Sequence, residues 1–221
     1  RPSATGKREK GGGVMSDAIL VVNAGSSSIK FSLFLERGEA LDPLLGGQIE
    51  SLYTAPRFKA KDAAGTVLSE QQWAQGETLG HDGAIAYLAG FLRERLGEHR
   101  LAAVGHRVVH GGLDYAAPVR LTAEIVGHLE RFIPLAPLHQ PHNLKPIRLL
   151  LANQSQLPQV ACFDTAFHRH QPEVAQAFAL PSEITDRGVR RYGFHGLSYE
   201  YIASVLSEYD ARAAAGRAVV L

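Results

Sequence analysis

Five short stretches combine residue types and spacings that can do chemistry. The first is Asn23-Ala24-Gly25-Ser26-Ser27-Ser28-Ile29-Lys30. Three hydroxyls and a run of backbone amides can surround phosphate oxygens, Gly25 is expected to let the backbone turn tightly, and Lys30 adds a cation just beyond the turn. This is not a Walker A loop, because the second Gly and the Gly-Lys-Ser/Thr ending are missing and the turn joins two strands rather than a strand and a helix. An ordinary hairpin turn is the plainer alternative. The second stretch, Gly105-His106-Arg107-Val108-Val109-His110-Gly111-Gly112, is a strand running into a double glycine. Arg107 offers a planar fork that matches a carboxylate or phosphate, and Gly111 and Gly112 allow close backbone approach. His106 and His110 could alternatively be read as metal ligands, but no nearby acidic or cysteine partner completes a site; core hydrogen bonding is the alternative.

The third stretch, Leu135 to Asn143, reads as a Pro-rich loop that holds His139 in one direction, with helix capping by Asn143 as the competing role. The fourth, Cys162 to His168, places Asp164 at the end of a buried strand, where open α/β sheets collect their ligands. Spacing leaves open whether Asp164 binds Mg²⁺ through water, orients Arg107 or caps the next segment. Cys162 is expected to be plain core packing. The fifth, Arg190 to Gly196, sets His195 in an aromatic turn between glycines, exposed and close to cations, or else a surface loop with an incidental histidine.

The elements that must position these residues begin with a hairpin. Ile19–Asn23 and the alternation of Ile29, Phe31, Leu33 and Leu35 predict two antiparallel strands around the Gly/Ser turn. A third strand is expected near Leu44–Ile49, and Lys59–Trp73 reads as a polar excursion with weak strand character. Asp82–Leu96, with Ile85, Leu88, Leu92 and Leu96 at helical spacing and Gly97 as its stop, is the clearest helix. A strand over Leu101–Val109, a helix over Thr122–Phe132, a strand over Pro158–Asp164 and a helix over Ser198–Leu206 follow. Tyr201, Ile202 and Val205 form the apolar side of that last helix. Arg217–Leu221 reads as the start of a further strand. Strands first, then alternating helix and strand, predict an α/β fold with a mixed sheet.

Composition narrows the partners. With 23 Lys+Arg against 22 Asp+Glu the net charge is +1, which gives no field that would gather nucleic acid or a membrane surface. No apolar run is long enough to span a bilayer. Cys162 is the only cysteine, so no internal disulfide forms and a reducing, cytoplasmic setting is expected. Residues 1–14 are basic and Gly-rich without an apolar run, and Met15 stands directly before the first strand as a natural start.

Taken together and in order, the Asn23–Lys30 turn, Gly105–Gly112, Leu135–Asn143, Phe163–His168 and Tyr192–Gly196 resemble the acetate kinase family over residues 19–221. The resemblance implies the fold of actin-like ATPases and sugar kinases, a ribonuclease H-like lobe with a mixed sheet followed by a second, similar lobe. On that basis residues 1–16 are expected to be an extension, 17–166 the N-terminal lobe, and 167–221 the beginning of the second. It implies ATP and acetate as substrates with Mg²⁺ or Mn²⁺, and a homodimer for the full-length protein. Residue by residue, Asn23 matches a metal-site position and Lys30, with Ser26 and Ser28, the ATP phosphate contacts. Arg107 matches the substrate-binding arginine and His139 a substrate contact, with Val109, Leu138 and Phe194 around the methyl group. Asp164 matches the active-site acid/base, and His195 the residue that stabilises the transition state. A carboxylate is already ionised at neutral pH and needs no general base to attack phosphorus, so Asp164 is expected to organise metal, water or Arg107 rather than to carry a proton.

Tyr199, Leu197 and Gln140-Pro141-His142-Asn143 depart from the residues that the family often has there. Family members run to roughly twice this length, and the remainder is expected to hold the adenosine pocket, a second arginine and a glutamate for Mg²⁺. A propionate kinase, a polyol kinase of the same broad fold and a non-catalytic binding fragment are the competing readings; Arg107 beside two valines favours a small carboxylate over a polyol.

Overall fold

The computed structural model describes residues 16–216. Both the N-terminal extension and the strand expected at Arg217–Leu221 concern segments outside the described residues, except for the extension's last position, Ser16. Eight strands form one mixed sheet in the order β5-β4-β3-β2-β1-β6-β8-β7. They are β1 (Asp17–Ala24), β2 (Ile29–Arg37), β3 (Ala40–Glu50), β4 (Arg57–Asp62), β5 (Val67–Gln72), β6 (Arg100–Val108), β7 (Val119–Arg120) and β8 (Gln159–Phe163). The first five pair antiparallel in sequence order, whereas β6 joins β1 in parallel and β8 joins β6 in parallel. The region expected to be a polar excursion with weak strand character is thus a β4–β5 hairpin, because Phe58 and Ala60 alternate inward while Lys59 and Lys61 face out.

Three helices interrupt the sheet strands: α1 (Gly80–Leu96), α2 (Ala123–Glu130) and α3 (Gln140–Asn153). On α1, Ala84, Leu88, Phe91 and Leu92 recur at helical spacing and are buried against the inward residues of β1 to β4. Phe58 anchors this half of the core, edge-on to Phe91 at 4.9 Å and to Tyr87 at 5.0 Å. Helix α1 stops at Gly97, whose φ of 55° is a left-handed turn that glycine adopts without strain. Thr122 caps α2 by accepting from the Ile125 amide at 3.2 Å, and α2 and α3 close a second core around Val108, Leu129, Leu144, Ile147 and Phe163.

The Pro-rich stretch departs most from expectation. Its loop ends at His139, and α3 carries the chain on from Gln140 to Asn153 with Pro146 in its interior. Pro141 in the first turn costs no hydrogen bond. Pro146 removes one, and the burial of Leu144 and Ile147 on either side holds the helix regardless. Beyond β8 come two short helical turns, α4 (Glu173–Gln176) and α5 (Ser182–Thr185), then α6 (Gly196–Tyr209) and α7 (Ala211–Ala215). Tyr201 and Ile202, on the apolar side expected of α6, are 62% and 37% exposed.

Candidate active site

Strand register gathers the candidate residues. Helices α1 and α3 cover the sheet face that carries Val22, His106 and Val108, so residues one position along point to the other face. Asn23 pairs directly with Lys30 across β1 and β2; Val22 pairs with His106, which brings Arg107 beside Asn23; and Arg107 pairs with Cys162. Lys30, Asn23, Arg107 and Cys162 therefore form a row across four neighbouring strands. Adjacent strands lie ~4.8 Å apart, so the two cations of this row are roughly 10 Å apart at the backbone. Cys162 is half-buried on this face rather than in the helix-covered core, since Ala161 and Phe163 take the inward positions. Burial still pushes its thiol pKa up.

Arg107 of this row forms a forked ion pair with Asp164, which directly follows β8. Arg107 Nε donates to Asp164 Oδ1 at 3.1 Å and Oδ2 at 2.9 Å, and Nη2 donates to Oδ2 at 2.6 Å. The Asp164 side chain is 2% exposed and that of Arg107 32%, so the acid is locked inside while part of the guanidinium remains open to a ligand. Of the three roles left open for Asp164, the geometry realises the orientation of Arg107. His195 Nδ1 lies 3.4 Å from Arg107 Nη2. An arginine only donates, so Nδ1 must accept there and the imidazole proton sits on Nε2.

His195 is held by its surroundings. Its φ of 56° is left-handed, and it precedes α6 as the cap residue. The next amide, that of Gly196, donates to the Asp164 carbonyl at 2.8 Å, and a Cβ on Gly196 would overlap that oxygen. Gly193 is equally constrained by the ring of His168, which contacts the Phe194 carbonyl at 3.0 Å. Phe194 lies edge-on to His110, 5.9 Å away, and Tyr192 packs on the same ring at 4.5 Å.

The two histidines of the Arg107 strand are core residues, as their non-metal reading had it. His106 Nε2 donates to Gln159 Oε1 at 2.8 Å, and burial pushes its pKa down to about 4. His110 Nδ1 accepts from the Gly112 amide at 2.9 Å. The double glycine is required, but by packing: Tyr115 crowds Gly111, and Phe132 fills the Cβ position of Gly112, whose φ is +61°. Gly25, by contrast, lies outside the left-handed region, and a Cβ there would meet only ordinary contacts at 3.7 Å. Gly25 still closes the turn, its amide donating to the Ser28 carbonyl at 2.8 Å, although the turn does not require a glycine there.

Sequence reasoning missed the residue that ties the two halves of the site together. Asn143 was weighed as a helix cap; instead its Oδ1 accepts from the Val109 amide at 2.9 Å and its Nδ2 donates to the Ala24 carbonyl at 2.6 Å. One buried carboxamide thus joins the end of β6 to the end of β1. Gln140, one turn earlier, likewise ties the His110 backbone to α2 through the Leu129 carbonyl. A polar residue facing inward among the apolar positions of α3 was the available signal, and it required α3 to be recognised as a helix. His139 and Leu138 stand exposed just before α3, and among the described residues neither side chain hydrogen-bonds to Arg107, Asp164 or His195.

No group of three or more His, Cys, Asp or Glu among the described residues is arranged to hold a metal ion. An Mg²⁺ that travels with phosphates needs few protein oxygens, since water and phosphate complete its octahedron. Asn23, part-exposed between Lys30 and Arg107, fits that lesser demand. No helix among the described residues is long and apolar enough to cross a membrane.

Comparison with known proteins gives these features a context. The model of the acetokinase family matches residues 18–220. An acetate kinase from Rhodopseudomonas palustris is 52% identical over 209 residues, covering 93% of this chain and 52% of that protein. A propionate kinase from Francisella tularensis superposes with a TM-score of 0.74 at 32% identity, over 87% of this chain and 49% of that one. The acetate kinase of Porphyromonas gingivalis does so with 0.73 at 33%, over 88% and 49%. The chain spans about half the length of the curated relatives it matches. The described residues are of the actin-like ATPase fold class, as the resemblance implied.

Proposed function

This chain belongs to the acetokinase family, and on that premise we propose that it supplies the carboxylate- and phosphate-binding side of an acetate kinase. The observation that carries the reading is the buried Asp164 holding Arg107 in a fork beside His195, on the sheet face and in the strand row that also carry Asn23 and Lys30. In this reading residues 17–166 are the N-terminal lobe and those from 167 onward begin the second.

Acetate binds through the open edge of the Arg107 guanidinium, its methyl group toward Val109 and Phe194, with Leu138 and His139 closing over it from the start of α3. The turn with Ser26 and Ser28 and the cation of Lys30 take the phosphates of ATP. An acetate oxygen forms its bond to the γ-phosphorus as the bond from that phosphorus to the bridging oxygen breaks, and ADP leaves with the electron pair. No proton has to move. Asp164 keeps the guanidinium in one plane, so its positive charge neutralises the attacking anion without reorganising. The Nε2 proton of His195 is available to donate to an equatorial phosphoryl oxygen as charge spreads onto it. Asn23 would hold Mg²⁺ together with the phosphates, and the ion would supply further charge neutralisation there.

Propionate is the second reading, favoured by the likeness to a propionate kinase. One methylene of pocket volume separates the two, worth about 1–3 kcal/mol of discrimination. The test is hydroxylamine trapping of acyl phosphate from ATP, Mg²⁺ and each carboxylate, in this chain continued to the length of its relatives. Turnover that Arg107→Ala lowers by about a hundredfold or more supports the reading. No turnover of any short carboxylate refutes it.

A further inference from the structure

His81 is fully buried and takes no part in the chemistry described above, yet both its ring nitrogens are committed. Nδ1 lies 2.8 Å from the Tyr53 hydroxyl, and Nε2 lies 2.8 Å from the Gly25 carbonyl. A carbonyl only accepts, so the proton is on Nε2, and Nδ1 accepts from Tyr53. Burial pushes the pKa of this imidazole down, against the opposing pull of the Gly25 hydrogen bond, and the two hydrogen bonds fix the tautomer.

The consequence falls on the phosphate turn. In a trans peptide the C=O and the following N–H point in opposite directions. His81 draws the Gly25 carbonyl inward, so the Ser26 N–H points outward. Leu52 does the same one step on: its amide donates to the Ser27 carbonyl at 3.1 Å, which turns the Ser28 N–H outward. Among the described residues neither serine amide has a protein acceptor. Two amides therefore face the open side together, the arrangement that binds an anion.

We propose that His81 is a positioning residue for nucleotide binding: by holding the Gly25 carbonyl it presents the Ser26 amide, alongside that of Ser28, to a phosphate of ATP. This inference rests on the reading of the turn as the phosphate site.

The experiment is an amide-resolved NMR titration with MgATP of this chain continued to the length of its relatives, on wild type, His81→Gln, His81→Phe and Tyr53→Phe. His81→Gln retains a donor for the Gly25 carbonyl and loses the ring, whereas His81→Phe retains the ring and loses the donor. The expected result is that the Ser26 and Ser28 amides respond in wild type, that His81→Gln binds within about threefold of it, and that His81→Phe binds at least about tenfold more weakly. A purely structural role for the ring gives the reverse order, and that result, or equal affinity in the two variants, overturns the proposal. Tyr53→Phe, at a half-exposed position, serves should His81→Phe not fold: binding weakened about threefold supports the role of the tautomer, and unchanged binding refutes it. If the wild-type serine amides do not respond at all, the phosphate-site reading itself fails, and the role of His81 with it.

Discussion

Arg107 and Asp164 share three hydrogen bonds, the shortest at 2.6 Å, yet one partner is sealed in the protein and the other is a third exposed. Their loss is therefore not symmetric. Arg107→Ala strands a buried carboxylate, a cost of about 3–5 kcal/mol. Asp164→Asn leaves a guanidinium that water still reaches, and about 1 kcal/mol is expected. Urea unfolding of the two variants gives the comparison, and equal costs would sink this account of the pair.

Acid should loosen the fold through its buried histidines. His106 has a native pKa of about 4 against an ordinary 6.5, so as pH falls the unfolded chain takes up the proton first. Stability is then full above pH ~7 and declines between ~6.5 and ~4, by about 3 kcal/mol from this residue alone. Burial lowers the values for His81 and His110 as well, which adds in the same direction. Urea midpoints at several pH values for wild type and His106→Asn should differ in slope over that window; parallel curves would contradict the assignment.

Two glycines near the site should respond oppositely to alanine. A Cβ at Gly196 runs into the Asp164 carbonyl, so Gly196→Ala must push the start of α6, and His195 with it, away from Arg107. About 1–3 kcal/mol of destabilisation is expected, measured by thermal melting. Gly25→Ala meets only ordinary contacts and should stay within about 0.5 kcal/mol of wild type.

Asn143→Leu preserves bulk but abandons the Val109 amide and the Ala24 carbonyl together. Each stranded buried group costs about 1–3 kcal/mol, so the loss should exceed that of Asn153→Leu, whose side chain only returns to the Leu149 carbonyl at the exposed end of α3. Hydrogen exchange at the Val109 amide gives the local readout: it should accelerate in Asn143→Leu and remain slow in Asn153→Leu.

The parts of this fold that could be read from the chain are those where one periodicity dominates. Alternation over Ile29–Leu35 and helical spacing over Ile85–Leu96 survived into β2 and α1 because the same residues supply the core. Helix α3 was hidden because Pro141 and Pro146 are local signals against a helix, and they were outweighed by the burial of Leu144 and Ile147, a tertiary effect. With α3 unseen, Asn143 had no face and its bridge could not be inferred. His81 was invisible for a similar reason: it belongs to the first turn of α1, and only the fold brings it beneath a turn 56 residues away. The exposure of Tyr201 and Ile202 on α6 was not legible because apolar spacing shows which side of a helix is apolar, not whether anything covers it.

The most direct test of the central claim, that Arg107 held by Asp164 is the anchor for a carboxylate substrate, is the binding of ¹³C-labelled acetate to this chain by NMR. The account predicts that wild type binds, that Arg107→Ala weakens binding by about tenfold or more, the value of a charge-assisted fork, and that Lys30→Ala, two strands away, leaves it within about twofold. Acetate affinity unchanged by Arg107→Ala would contradict it.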